Sequence, residues 1–253
     1  MENHWIPVYV CQDKVDFLNG LFGLSGNDVH IWFARLDQPL ICVEKFAQIL
    51  STEELAKASN FHFVRDKDRF IVSHGLLRTI LANYINIEPK QLSFSYTING
   101  KPYLTTKFST DDDLIFNMSH SYNVALYTIV LNRRIGVDLE FIRDIKNIDQ
   151  ITEFFFSKSD KMMINMLPEK QKKEAFFNIW TRKEAYIKAI GGSLLTDLDK
   201  PIGLLHAEEK RHNTSDWFFQ TLSPVSDYIA TVAVDGYNLQ FKYFQIILLI
   251  NKP

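Results

Sequence analysis

Apolar and polar positions alternate over Val29 to Asp37, VHIWFARLD, with β-branched and aromatic side chains in the apolar places, and this period of two predicts an early strand. The period then lengthens. In STEELAKASNF, Ser51 is followed three residues later by Glu54, a capping-box signature that opens a helix. Phe70, Leu77 and Leu81, spaced by turns of helix, predict a second helix from about Asp66 to Asn83. Asn99-Gly100 lies between β-prone runs and is the pair that a tight type I′ hairpin turn prefers. FNMSHSYNVALYTIV and RRIGVDLEFI read as two strands around the polar link Asn132 to Arg134. From Gln171 to Ile190 the helical period returns most clearly, with Ile179, Trp180, Ile187 and Ile190 on one apolar stripe. After GGSLLTDLDKP the remainder is strand-like, divided by Asn, Ser, Pro and Gly. Its apolar run FQIILLI, Phe244 to Ile250, is far short of the roughly 20 residues that span a bilayer, so it reads as a buried strand and no membrane segment is predicted.

Helices and strands mix without a regular βαβ rhythm, which predicts an α+β fold. At 253 residues and 46% hydrophobic content, the chain can bury one core or two modest lobes, with a weakly marked boundary near Asn132. No repeat or low-complexity tract is legible. The net charge of −2 provides no overall field for nucleic acid or an anionic membrane. Cys11 and Cys42 are too few for a disulfide framework and lack metal-ligand spacing, and MENHWIPVYV has no signal-peptide character. A reducing, cytosolic setting is expected.

The candidate chemistry lies in GVDLE, 136–140, and WTRKEAYIKA, 180–189. On a strand, Asp138 and Glu140 project from one face while Val137 and Leu139 pack inward. Two adjacent carboxylates suit a hard cation such as Mg²⁺, which takes carboxylate, water and phosphate oxygens. The other reading is a strand edge with two solvated acids. On the helix, Glu184 and Lys188 sit about 40° apart on the flank of the apolar stripe. They are either an ordinary i,i+4 pair, worth about 0.2–0.5 kcal/mol, or part of a site. Lys183 falls inside the stripe, where it either snorkels or faces an anion-binding cleft. Lys170, Lys172 and Lys173 beside Phe176 and Phe177 form either a docking patch for an acidic partner or a solvated helix start.

In this order, FNMSHS (116–121), GVDLE and WTRKEAYIKA resemble the 4′-phosphopantetheinyl transferase superfamily. The length and the additional N-terminal half are similar to its larger, two-lobed surfactin-type branch. STEELAKASNFHFVRDKDRF, NGKP and EFFFSKSD extend the likeness over most of Ser51 to Leu194. The resemblance implies two similar α/β lobes related by a pseudo-twofold, 1–132 for nucleotide contacts and 133–253 for the metal site and catalytic helix, in a monomer resembling a pseudo-dimer. It implies Mg²⁺-dependent transfer of the phosphopantetheine arm of coenzyme A to a serine of an apo acyl or peptidyl carrier protein, with release of adenosine 3′,5′-bisphosphate.

Carried over by position, Asp138, Glu140 and Glu184 are the implied Mg²⁺ ligands. Glu184 is the implied general base, directly or through water, and Lys188 the group that stabilises or protonates the leaving phosphate oxygen. Arg69 and His120 match residues that hold the 3′-phosphate; Ser119, Lys101 and Lys57 match nucleotide and phosphate contacts. Three positions depart from the pattern: Glu54 replaces the first member of a basic pair whose second is Lys57, Asp160 stands where a longer acid is usual, and Ser193 replaces a glycine. The rival readings are a metal-dependent nuclease, opposed by the E-x-x-x-K spacing and the net charge, and a non-catalytic module that binds coenzyme A or a carrier. Retention of Asp138, Glu140, Glu184 and Lys188 together favours an enzyme.

Overall fold

A computed structural model of the protein describes residues 4–11, 14–16, 23–105, 112–193 and 217–249. The chain runs β1 (Ile6–Cys11), β2 (Lys14–Asp16), β3 (Asp28–Arg35), α1 (Leu40–Ile49), α2 (Thr52–Ser59) and α3 (Val64–Ile85). There follow β4 (Phe94–Tyr96), β5 (Pro102–Leu104), β6 (Leu114–Ser121), β7 (Val124–Leu131) and β8 (Ile135–Phe141). The last part holds α4 (Ile148–Phe155), α5 (Lys158–Met166), α6 (Glu169–Ile190), β9 (Trp217–Leu222), β10 (Tyr228–Asp235) and β11 (Gln240–Leu249). Among the described residues no helix is long and apolar enough to cross a membrane.

Four layers result from which faces are apolar. A six-stranded sheet of order β2-β1-β11-β3-β7-β6 and a three-stranded sheet of order β8-β10-β9 pack face to face. Ile31, Phe33 and Leu126 of the first meet Val137, Leu139 and Val232 of the second. On its other face the larger sheet offers Trp32, Tyr127 and Phe244 to Leu76 and Ile80 of α3. The smaller sheet turns Ala233 towards Ala185 and Ala189 of α6. β3 and β7 are thus covered on both sides, which explains their nearly continuous burial. Beyond Asn132, β11 returns to pair in parallel with β1 and β3, so the end of the chain completes the first sheet.

Three local expectations are corrected. FNMSHSYNVALYTIV is two strands, because Tyr122 takes a positive φ of 51° and reverses the chain between β6 and β7. The Asn99-Gly100 turn is wider than the type I′ form: Gly100 alone has positive φ, and its N–H donates to Thr97 O across Ile98 and Asn99. The chemistry of αL still selects glycine there. Lys183 neither snorkels nor faces a cleft, since it is buried with its Nζ 3.2 Å from Asp160 Oδ2 and donating to Phe155 O at 3.1 Å. Most of the stretch GGSLLTDLDKP lies outside the described residues, as does Ile250 at the end of the apolar run.

The contact between β8 and α6 fixes everything downstream. Gly136 lies so near α6 that an added Cβ would sit 2.0 Å from Ala185 O and 2.5 Å from Ala189 N. Both are backbone atoms and cannot rotate away. Gly136→Ala is therefore expected to push the helix off the strand and destabilise the fold by about 1–3 kcal/mol. A urea unfolding midpoint lowered accordingly, with an unchanged slope, is the result that checks it.

Candidate active site

β6 and β8 are the facing edge strands of the two sheets, and they are joined by side chains. Asn117 Oδ1 accepts from Val137 N–H at 2.8 Å, Ser119 Oγ from Leu139 N–H at 3.2 Å and Ser121 Oγ from Phe141 N–H at 3.1 Å. Alternate positions of one strand thus satisfy alternate amides of the other, which an open edge would leave unpaired. The two hydroxyls also donate outward, Ser119 to Asp138 Oδ1 and Ser121 to Glu140 Oε2, each at 3.2 Å.

Asp138 and Glu140 point from β8 towards α6, as the strand period predicts. Lys188 Nζ donates to Asp138 Oδ1 at 2.6 Å and to Ser119 Oγ at 3.1 Å. Arg143 lies 3.6 Å from Glu140 Oε2. Glu184, one turn before Lys188, faces the same acids. Its pKa rises from 4.5 to about 7, first through desolvation and then through the charge of Asp138, with Lys188 opposing and Glu140 adding. Desolvation and Asp138 also raise Glu140. The site is therefore short of positive charge: three carboxylates share Lys188 and a more distant arginine.

Asp138, Glu140 and Glu184 offer carboxylate oxygens, the donor type that a hard cation takes. Asp138 Oδ2 is buried without a hydrogen-bond partner, although the companion oxygen is fully engaged. A buried carboxylate oxygen so exposed to two further acids calls for a positive partner. Among the described residues no group of three or more His, Cys, Asp or Glu is arranged to hold a metal ion. Asp138, Glu140 and Glu184 are the oxygen donors available.

Beside this cluster opens a cleft of about 390 Å³. Lys57, Phe70, His74, Tyr96, His120 and Lys188 are among its walls, with Ser119 at the junction to the acids. Phe70 and His74 stack at 3.8 Å, and Lys57 Nζ lies 4.4 Å from the Tyr96 ring centroid. The cleft is thus lined by aromatic faces and cations together. Desolvation by its walls and the Lys188 charge lower the pKa of His120, although the residue stays accessible from the mouth.

Of the positions expected to touch ligand, Lys57, Ser119, His120 and Lys188 meet at the cleft, while Asp138, Glu140 and Glu184 cluster behind it. Arg69 is held elsewhere: its Nε and Nη2 grip both oxygens of Asp37 at 2.6 and 2.9 Å, and it does not line the cleft. Lys101 points its Nζ at Ile135 O and Ala189 O. Glu54 is anchored to Arg78 at 2.7 Å while capping α2 through Ser51, which accounts for an acid at that position. Asp160 caps α5 through Ser157 and pairs with Lys183. Of the expected basic and apolar docking patch, the apolar part is corrected: Phe176 and Phe177 are buried, Phe176 against Phe156 and Trp180, while Lys172 and Lys173 remain at the surface beside Glu169 and Asp144. Sequence reasoning missed the bonds of Asn117 and Ser121, whose only signal was polar residues at a spacing of two in a strand.

Comparison with known proteins decides the family. The profile of the 4′-phosphopantetheinyl transferase superfamily matches residues 134–234, and that described as "4'-phosphopantetheinyl transferase, N-terminal" matches 42–130. The 4'-phosphopantetheinyl transferase HetI of Nostoc sp. is 37% identical over 222 residues, covering 87% of this chain and 93% of that protein. The chain belongs to the 4′-phosphopantetheinyl transferase superfamily. Among its relatives in this superfamily are the transferase Sfp of Bacillus subtilis, 26% identical over 70% of this chain and 77% of its own, and the L-aminoadipate-semialdehyde dehydrogenase-phosphopantetheinyl transferase of Xenopus laevis, 27% identical over 67% and 57%. Matches on both sides of Asn132 identify the larger, Sfp-like branch of the transferases. A nuclease reading of the acids is thereby set aside.

The Glu184 shift fixes a sign. Because its folded pKa is raised to about 7, the folded protein keeps a proton that the unfolded chain releases above 4.5. Its contribution to stability is complete below pH 4.5 and lost as pH rises through 7. In EDTA, Glu184→Gln should flatten the fall in urea midpoint between pH 5 and pH 8; an unchanged fall would show that other groups cause it.

Proposed function

We propose that this protein transfers the 4′-phosphopantetheine arm of coenzyme A to a serine hydroxyl of an apo acyl or peptidyl carrier protein. The reading rests on one juxtaposition: Lys188 lines the cleft and at the same time binds Asp138 at 2.6 Å, so a pyrophosphate in the cleft would lie beside the acids. Carrier serine Oγ forms a bond to the phosphorus bearing the pantetheine arm. The bond from that phosphorus to the bridging oxygen breaks, and adenosine 3′,5′-bisphosphate leaves.

Asp138, Glu140 and Glu184 would hold Mg²⁺, which when bound neutralises and aligns the pyrophosphate. Glu184 takes the serine proton, directly or through one water, and its elevated pKa suits a base working near neutrality. Lys188 stabilises or protonates the leaving phosphate oxygen. Aromatic faces of the cleft suit the adenine, and His120, Ser119 and Lys57 suit the nucleotide phosphates. Arg69 would have to exchange Asp37 for the 3′-phosphate before serving it. In this proposal residues 1–132 supply the nucleotide contacts and 133–253 the metal ligands, within a monomer of two paired lobes acting in the cytoplasm.

Intact mass of an apo acyl carrier protein, incubated with the protein, coenzyme A and Mg²⁺, tests the proposal. A gain of one phosphopantetheine arm is expected, abolished by EDTA and by Asp138→Ala or Glu184→Gln, and reduced at least about 100-fold in rate by Lys188→Ala. No gain with fatty-acid, polyketide or peptide carriers would overturn the function; full activity of Asp138→Ala would overturn the site.

A further inference from the structure

The last turn of every helix leaves carbonyls that no following turn can use. In α6, backbone amides of Gly191 and Gly192 return to Ile187 O and Lys188 O. The next carbonyls are taken from the far side of the sequence. Asn99 Nδ2 donates to Gly191 O at 2.8 Å, and Lys101 Nζ donates to Ala189 O at 3.3 Å and to Ile135 O at 3.1 Å. The β4–β5 hairpin thereby caps a helix about 90 residues away, and its ammonium stands where the helix dipole favours positive charge.

These partners are not arbitrary ends. Ala189 follows Lys188 directly, and Ile135 precedes Asp138 by three residues on β8. Lys101 Nζ thus bridges the two elements that carry the acidic cluster, at the contact where Gly136 lets them meet most closely. Burial lowers its pKa to about 8, in keeping with a group turned inward to carbonyls rather than outward to water. The wider turn at Ile98 and Asn99 leaves Asn99 exposed and free to reach across.

We propose that Asn99 and Lys101 are positioning residues, which clamp the last turn of α6 against β8 so that Glu184 and Lys188 keep their placement relative to Asp138. This rests on the function proposed above. It assigns Lys101 to the helix end rather than to phosphate. Loss of the clamp should slow the chemical step, since small misplacements of reacting groups are costly, while coenzyme A binding is spared.

Two measurements on the full chain test it. Amide hydrogen exchange over 185–191 should quicken by about tenfold in Asn99→Ala, with exchange in α3 unchanged. In carrier modification, Asn99→Ala and Lys101→Met should lower kcat by about tenfold or more and leave KM for coenzyme A within about twofold. Lys101→Arg should recover most of kcat, because a guanidinium can still serve two carbonyls. Unchanged exchange over 185–191, or a raised KM with intact kcat in Lys101→Met, overturns the clamp. Failure of the unaltered protein to transfer the arm would instead remove the proposed function, and the exchange comparison would still decide the clamp. Asn99 lies on the surface, so its variant folds even if Lys101→Met does not.

Discussion

Side chains of β6 standing in for a neighbouring strand of β8 are the interaction on which the site depends. An edge strand carries a row of amides that must be paired, covered or hydrated. Here Asn117, Ser119 and Ser121 meet three of them, and the join occurs between two sheets rather than within one. Each serine also donates to an acid of β8. The bond that holds the sheets together therefore also orients Asp138 and Glu140, and neither acid could be moved without disturbing the junction.

From that junction the charge balance follows. Val137 and Leu139 enter the core between the sheets, which commits their alternates to the α6 side. Gly136 admits α6 at a distance that a side chain would forbid, so Glu184 and Lys188 arrive beside acids already short of solvent. Lysine neutralises one oxygen of Asp138 and leaves the other buried and bare. Desolvation first, and then the charge of Asp138, raise the pKa of Glu184 and Glu140. The same fields that burden the protein alone would favour a divalent cation and an anionic substrate arriving together.

Much of this was legible from periodicity. The strand expected at Val29–Asp37 is Asp28–Arg35, and the helix expected from Gln171 is Glu169–Ile190, started earlier because Pro168 can stand only at its entrance. GVDLE showed which residues share a face because that is a local property. What it could not show was the identity of distant partners. Nothing near Arg69 announces Asp37, 32 residues away, and nothing in residues 180–190 announces that Lys183 will be buried on Asp160. Asn99-Gly100 signalled a turn correctly in kind but not in width, since the turn leaves Asn99 outside positive φ. The apolar part of the patch near Lys172 was misjudged for a related reason: neighbouring letters do not reveal that Phe176 and Phe177 face inward.

The proposed chemistry requires Asp138, Glu140 and Glu184 to bind one cation next to the cleft. The most direct measurement is the anomalous scattering of Mn²⁺ in crystals grown with coenzyme A. A single strong peak within coordination distance of oxygens from all three carboxylates and of the coenzyme A pyrophosphate is the predicted result. A peak elsewhere, or coenzyme A ordered in the cleft with no metal against these acids, would contradict it.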